Sequence, residues 1–163
     1  MKLGERSMKY VCSLIVVESI EKARRLYEKV LNQKVVTDFG ENVGFEGGFA
    51  LHKKDHFELL INGNKVIPGS NTFELYFEDD NLEAIEKILI DEGITFIHLI
   101  REQPWRQKVM RFYDYDNNII EIGERLEHTA YRLHNDGLPI EEIAKFTFMP
   151  KEMIEAAIKE YSN

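Results

Sequence analysis

The chain of 163 residues is long enough for one domain with a core that needs neither disulfides nor metal staples. Its 29 acidic and 21 basic residues give a net charge of −8, which argues against nucleic acid as a partner, since phosphate binding needs a basic surface. The sequence has one cysteine, Cys12, and no stretch approaching the ~20 apolar residues of a membrane helix, so we expect a cytoplasmic protein without a membrane partner.

The first half of the chain alternates strand and helix patterns. An apolar run over 10–17 predicts a buried strand, and apolar positions three and four apart predict an amphipathic helix over 19–31. Short runs over 34–39, 44–52 and 57–61, separated by turn residues, predict three further strands. The predicted order is β-α-β-β-β.

The same order recurs in the second half, after a linker rich in turn residues. A strand is predicted over 72–77, a helix over 82–92 and a strand over 95–100. Runs over 108–113 and 119–122 flank a turn of Asp and Asn residues, which tolerate left-handed backbone geometry, and predict a closing hairpin.

The spacing of these elements indicates an internal repeat. The starts of the two helices are 62 residues apart, and Glu58 and Glu121 are 63 apart. Two β-α-β-β-β repeats, over 8–62 and 72–124, predict an α+β fold in which a curved mixed sheet surrounds a cavity. The alternative is a pair of unrelated α+β halves with a similar order.

Residues 125–163 depart from the repeat and predict a C-terminal helical appendage. The predicted helices cover 126–135, 140–146 and 151–161. The last two resemble a helix-turn-helix, but a recognition helix should present basic or amide side chains to base edges, and the last helix carries three glutamates. We therefore expect its apolar stripe to dock on the protein's own core or on a partner subunit.

Three stretches resemble the vicinal oxygen chelate superfamily, which includes lactoylglutathione lyases, bleomycin-resistance proteins and extradiol dioxygenases. They are the helix over 19–31, Pro104-Trp105 with Phe112-Tyr113-Asp114, and Ile119-Ile120-Glu121-Ile122. The resemblance covers residues 8–123 and implies a vicinal oxygen chelate domain over 8–124 and, as often in that family, a homodimer. It leaves the reaction open, because this scaffold hosts very different chemistries.

The resemblance also implies a set of metal ligands. Metal-binding members place four ligands, usually His or Glu, on the first and last strand of each repeat, and the matching residues are Cys12, Glu58, Thr72 and Glu121. Two glutamates suit Mg²⁺ or Mn²⁺, and Cys12 beside them suits Zn²⁺, whereas Thr is a poor ligand. One divalent cation (Mn²⁺, Mg²⁺, Ni²⁺ or Zn²⁺) and no cofactor are equally compatible with this set.

Glu58 and Glu121 are also the candidate catalytic residues. In lyases and isomerases of this superfamily, a glutamate beside the metal moves a proton next to a carbonyl. Without a metal, the same carboxylates could only bind a ligand. His52 and His56 flank a predicted turn, where lone histidines are more often surface residues than ligands.

Strand alternation supplies candidate ligand-binding residues, because residues two apart share a face. These candidates are Tyr10, Glu74, Tyr76, Trp105, Arg111 and Tyr113. Aromatic and charged side chains together suit a small ligand with a ring or a cationic group. The alternative is that Glu74 and Arg111 form an ion pair across neighbouring strands.

Taken together, these patterns favour a small-molecule-binding protein of the glyoxalase and bleomycin-resistance type, with a pocket lined by two carboxylates. The alternative is a divalent-metal-dependent lyase or isomerase of the lactoylglutathione lyase type. A third hypothesis is a sensor whose C-terminal helices contact a protein partner.

Overall fold

A computed structural model describes residues 9–162, which divide into two compact units between Pro68 and Gly69. Each unit contains a four-stranded mixed sheet and a helix that connects its first two strands. The predicted α+β fold with two β-α-β-β-β repeats and C-terminal helices is therefore confirmed. None of the helices within the described residues combines the length and apolar character needed to cross a membrane.

The first unit has the strand order β1-β4-β3-β2, with β1 and β4 parallel and the other pairs antiparallel. Its elements are β1 Ser13–Val17, α1 Ile20–Arg24 with a π-helical continuation Arg25–Val30, β2 Val35–Asp38, β3 Asn42–Phe45, β4 Phe49–Lys53 and α2 Lys54–Leu60.

Helix α1 begins where the sequence predicts it, because Ser19 supplies the cap. The Ser19 side chain accepts a hydrogen bond from the Lys22 backbone N–H. Leu26 and Tyr27, on the following π-helical turn, are fully buried, and the Tyr27 ring lies 5.6 Å from the ring of Phe49. This apolar stripe packs the helix against the first sheet.

The strand predicted over 57–61 is wrong, because residues 57–60 lie in helix α2 and Ile61 caps its C-terminal end. The run over 44–52 instead forms two strands, β3 and β4, joined by a turn in which Gly48 adopts a φ of 77°. A short apolar run does not distinguish a strand from a helix by its periodicity alone. The last strand of the first repeat is therefore β4, which pairs in parallel with β1.

The second unit has the strand order β5-β8-β7-β6, with β5 and β8 parallel. Its elements are β5 Glu74–Glu78, α3 Leu82–Asp91, β6 Phe96–Glu102, β7 Lys108–Tyr113 and β8 Ile119–Gly123, followed by α4 Leu126–Asn135, α5 Ile140–Thr147 and α6 Lys151–Tyr161.

The closing hairpin of β7 and β8 forms as predicted. The Asp114 carboxylate accepts hydrogen bonds from the backbone N–H groups of Asp116 and Asn118, and Asn117 takes a left-handed φ of 66°. This turn sets the antiparallel register in which Arg111 lies opposite Glu121.

The C-terminal helices pack within the second unit. Ala130, Leu133, Ile143, Met149 and Ile154 form their buried apolar cluster. Beyond that cluster, the Tyr161 hydroxyl of α6 donates a hydrogen bond at 2.6 Å to Asp80, the second residue after β5. The helices are therefore attached to the end of their own unit's sheet.

Candidate functional site

Helix α3 packs against strands β6 and β7 on one face of the second unit's sheet, and the two faces therefore differ. Ile120 and Ile122 of β8 are buried on the face toward α3, and Glu121 between them points to the opposite side. We call this opposite side the open face. Its polar and charged residues are Glu74, Tyr76, Glu78, His98, Arg101, Arg111, Tyr113 and Glu121.

An ion-pair array occupies the centre of the open face. The Glu121 carboxylate is buried and pairs with Nη2 of Arg111 on the neighbouring strand. Nε of Arg111 lies 3.1 Å from Oε2 of Glu74, and its Nη1 lies 3.4 Å from Nε2 of His98. Because a buried carboxylate without a partner is costly, Arg111 is what allows Glu121 to lie there.

The predicted pairing of Glu74 with Arg111 is present, but the two residues are not on neighbouring strands. Strand β8 lies between β5 and β7, so the Arg111 side chain reaches past Glu121 to contact Glu74. One guanidinium therefore holds two carboxylates, which sequence alternation alone could not indicate.

Tyr76 and Trp105 both form hydrogen bonds with the side chain of Gln107. The Tyr76 hydroxyl donates to Glu78 at 3.0 Å and accepts from Nε2 of Gln107 at 2.9 Å, while Trp105 Nε1 donates to Oε1 of Gln107 at 2.8 Å. Burial of the hydroxyl raises the pKa of Tyr76 to about 12, so it stays a neutral donor. Sequence reasoning missed Gln107, and its local sequence holds no signal for this role.

The open face is negatively charged. Its carboxylates belong to Glu74, Glu78 and Glu121, and its guanidinium groups belong to Arg111 and to Arg101, which lies opposite Val109, so the face carries one more negative than positive charge. The Glu74 side chain keeps 39% of its exposure and Tyr76 keeps 47%. Acidic groups and an aromatic surface are thus accessible beside a buried, paired carboxylate.

The candidate site residues of the first unit lie outside its strands. Glu58 is on helix α2, not on a last strand as predicted, and its carboxylate accepts from Lys65 Nζ at 2.6 Å and from the Val66 N–H at 3.2 Å. The hydrogen bond from Lys65, followed by that from Val66, lowers the pKa of Glu58. Cys12 and Tyr10 precede β1 and are exposed.

Thr72 and Tyr113 lie at one end of the open face. Thr72 is exposed ahead of β5, and its hydroxyl lies 3.2 Å from that of Ser70. The Tyr113 hydroxyl, at the end of β7, donates to Oδ1 of Asn71 at 3.4 Å. A role for either residue in binding stays a prediction.

His52 is a buried strand residue that sequence reasoning placed on a loop. It pairs with Val16 of β1 and lies on the last strand of the first repeat, where Glu58 was predicted to lie. Its Nε2 lies 2.8 Å from Nδ1 of His56, and burial, followed by His56, lowers the pKa of His52. The available signal was the alternation of the run that ends at His52.

The predicted metal ligands do not fit a divalent cation. Within residues 9–162, no three His, Cys, Asp or Glu side chains are grouped so as to hold a metal ion. The Glu58 carboxylate is bonded to Lys65 and that of Glu121 to Arg111, so a cation would have to displace an existing positive charge at each.

Comparisons with known proteins agree with this topology. The family described as glyoxalase-like domain matches residues 10–127. A crystal structure of a protein of unknown function from Agrobacterium tumefaciens is 34% identical, with a TM-score of 0.66 over 76% of this chain and 98% of that one. No curated protein matches the chain at a significant level.

Two further structures share the fold at low identity. A lactoylglutathione lyase from Agrobacterium tumefaciens is 16% identical, with a TM-score of 0.55 over 73% of this chain and 95% of that one. A glyoxalase/bleomycin resistance protein/dioxygenase from Nocardioides is also 16% identical, with a TM-score of 0.56 over 75% and 86%. The chain therefore belongs to the glyoxalase-like domain family of the vicinal oxygen chelate superfamily.

Proposed function

We propose that this protein binds a small, positively charged molecule that carries a ring, on the open face of its second unit. The observation that carries the proposal is the excess of carboxylates around the exposed ring of Tyr76. A cation is attracted by these carboxylates, and its ring can stack on an aromatic surface. The proposed role is the binding of this ligand.

Charge accounts for the preference for a cation. Arg111 is already bonded to Glu74 and Glu121, so its guanidinium has little capacity left for an anionic ligand. Glu74 is half-exposed and keeps free lone pairs toward solvent, since a carboxylate can accept about four hydrogen bonds. A ligand cation beside Glu74 is thus favoured over a ligand carboxylate beside Arg111.

The two carboxylates of the binding site are, in this proposal, Glu74 and Glu121. The sequence-based pair was Glu58 and Glu121, but Glu58 is bonded to Lys65 on a helix. Glu74 replaces it because Arg111 holds both carboxylates on one face of one sheet.

Two dyes of opposite charge test the proposal. Thioflavin T is a cationic aromatic molecule, and 8-anilinonaphthalene-1-sulfonate is an anionic one, so a fluorescence titration of each separates charge from general hydrophobicity. We expect saturable binding of thioflavin T that weakens about fivefold in Glu74→Gln, the factor for a half-exposed ion pair. Glu155→Gln, at an exposed position of α6, is the matched control and should bind as the parent does.

Equal binding of both dyes, or binding that is the same in Glu74→Gln as in the parent, would contradict the proposal. Calorimetric titration with Mn²⁺, Ni²⁺ and Zn²⁺ tests the alternative of a metal-dependent lyase. Saturable metal binding that disappears in Glu121→Gln would favour that alternative, because the metal would then have displaced Arg111 from the carboxylate.

A homodimer in the cytoplasm completes the proposal. Val36 on the edge strand β2 and Phe39 directly after it are 60% and 76% exposed, and a second copy would cover them. The Cys12 thiol is free and exposed, which suits a reducing compartment. Sedimentation velocity should give twice the mass of one chain, and a single-chain mass would contradict the dimer.

A further inference from the structure

Gln107 is a buried amide that joins two exposed aromatic side chains. It precedes strand β7 and is 6% exposed, whereas Tyr76 and Trp105 keep 47% and 37% of their exposure. Its Oε1 accepts from Trp105 Nε1, and its Nε2 donates to the Tyr76 hydroxyl and to the backbone carbonyl of Glu124. Both N–H donors of the amide and one of the two acceptor positions of its oxygen are thus used.

The neighbours of Gln107 determine which way its amide points. The indole N–H of Trp105 is only a donor, so it must face Oε1, and the Glu124 carbonyl, 2.6 Å from Nε2, is only an acceptor. Turning the amide over would oppose oxygen to oxygen and donor to donor. The amide therefore has one orientation, and it is hydrogen-bonded to the polar atoms of both aromatic side chains.

Gly123 on strand β8 leaves room for the Gln107 amide. A Cβ placed on Gly123 would lie 3.1 Å from Nε2 of Gln107 and 3.1 Å from the Tyr76 hydroxyl. Gly123 thus accommodates the contact between the amide and the Tyr76 ring, which any larger residue would displace.

The hairpin that carries Trp105 is braced by the C-terminal helices. Arg106, next to Trp105, has a left-handed φ of 72°, and its carbonyl accepts from Nη2 of Arg132 on α4 at 2.7 Å. The Arg106 guanidinium lies 5.4 Å from the ring centre of Phe146 on α5. Trp105 is therefore positioned from two directions, by its own hydrogen bond and by its backbone neighbour.

We infer that Gln107 is a positioning residue that holds Tyr76 and Trp105 as an aromatic clamp for the ring of a cationic ligand. This inference rests on the proposed function and adds to it the residue that sets the geometry of the aromatic surface. Two rings fixed before binding lose less side-chain entropy when a ligand stacks on them, which strengthens binding without a new contact. Gln107 itself touches no ligand in this arrangement.

Trp105 is the only tryptophan of the chain, so its fluorescence reports directly on the clamp. The test variant is Gln107→Met, which keeps an unbranched side chain and removes all three hydrogen bonds. The matched control is Gln103→Met on the same hairpin, because Nε2 of Gln103 has no hydrogen-bond partner among the residues that the structure describes. We measure Trp105 fluorescence anisotropy without ligand and then thioflavin T affinity.

Gln107→Met should lower the Trp105 anisotropy and weaken thioflavin T binding about tenfold, the usual effect of losing an ordered aromatic contact, while Gln103→Met changes neither. Unchanged anisotropy and affinity in a folded Gln107→Met protein would overturn the inference. If the parent binds no thioflavin T, the proposed function fails, and the anisotropy comparison alone decides whether Gln107 positions Trp105.

A second variant covers the case in which Gln107→Met does not fold. Tyr76→Phe removes one bond to the amide at a half-exposed position and leaves the bond between Gln107 and the Glu124 carbonyl. It should weaken thioflavin T binding about threefold, as expected for a ring that loses one hydrogen bond. Parent-like affinity in Tyr76→Phe would overturn the inference.

Discussion

The guanidinium of Arg132 in helix α4 lies 2.6 Å from the carboxylate of Glu124, which directly follows the last strand of the sheet. Glu124 is 2% exposed, and the same guanidinium also donates to the Arg106 carbonyl. A buried ion pair thus joins the C-terminal helices to the sheet and to the hairpin that carries Trp105.

Removing Arg132 should be strongly destabilising, because it leaves the Glu124 carboxylate buried without its cation. We expect Arg132→Met to lower the free energy of unfolding by about 3 kcal/mol, measured by urea denaturation. The double variant with Glu124→Gln should recover part of that loss. Arg101→Met, at an exposed position of β6, is the control and should stay within about 0.5 kcal/mol of the parent. A loss no larger than that of the control would contradict this account.

Acid should destabilise the second unit through Glu124. Burial is the largest single influence and opposes ionisation of Glu124, but the hydrogen bonds from Arg132 and from the Lys108 N–H, together with the charge of Arg132, outweigh it and lower the pKa of Glu124. Because the unfolded chain binds the proton more readily, the stabilisation is fully present above about pH 4.5 and is lost as the pH falls through the folded-state pKa. The free energy of unfolding, measured from pH 7 to pH 3, should fall less steeply in Glu124→Gln. A parallel pH profile in that variant would disprove the assignment.

Gly123→Ala should disturb the clamp without unfolding the protein. The new methyl group would contact Tyr76 and Gln107 at about 3.1 Å, so one of these side chains must move by a few tenths of an ångström. We expect a stability loss of about 1 kcal/mol, lower Trp105 anisotropy and weaker thioflavin T binding. In Gly47→Ala the nearest heavy atoms lie at an ordinary 3.6 Å, and this control should change none of the three. Unaltered anisotropy in Gly123→Ala would show that the clamp tolerates the displacement.

Phe148→Gly should stabilise the protein. Phe148 ends helix α5 with a left-handed φ of 58° and is 86% exposed, so it bears the steric cost of that backbone conformation with little burial in return. We expect the free energy of unfolding to rise by about 0.5–1 kcal/mol, measured by thermal and urea denaturation. Phe146→Gly, within the same helix, should lower it by about 1 kcal/mol or more. A destabilised Phe148→Gly protein would instead indicate that the Phe148 side chain has a stabilising contact.

The sequence by itself determined the elements whose causes are local. Ser19 caps helix α1 with its own side chain, and Asp114 and Asn117 form the turn between β7 and β8, so both could be predicted from neighbouring residues. The repeat was visible because each unit needs the same apolar pattern to bury one helix on one sheet. The family resemblance predicted the same fold.

Only the tertiary structure decided which polar side chains meet. Glu58 had the right spacing, but its segment is helical and Lys65 neutralises it, while His52 lies on the last strand of the first repeat. Arg111 and Glu74 meet because their strands, β7 and β5, are both neighbours of β8. Gln107 hydrogen-bonds the side chains of Tyr76 and Trp105, which are 31 and 2 positions away in sequence. Strand order and register arise from packing between distant segments, and they bring together side chains whose proximity no local pattern encodes.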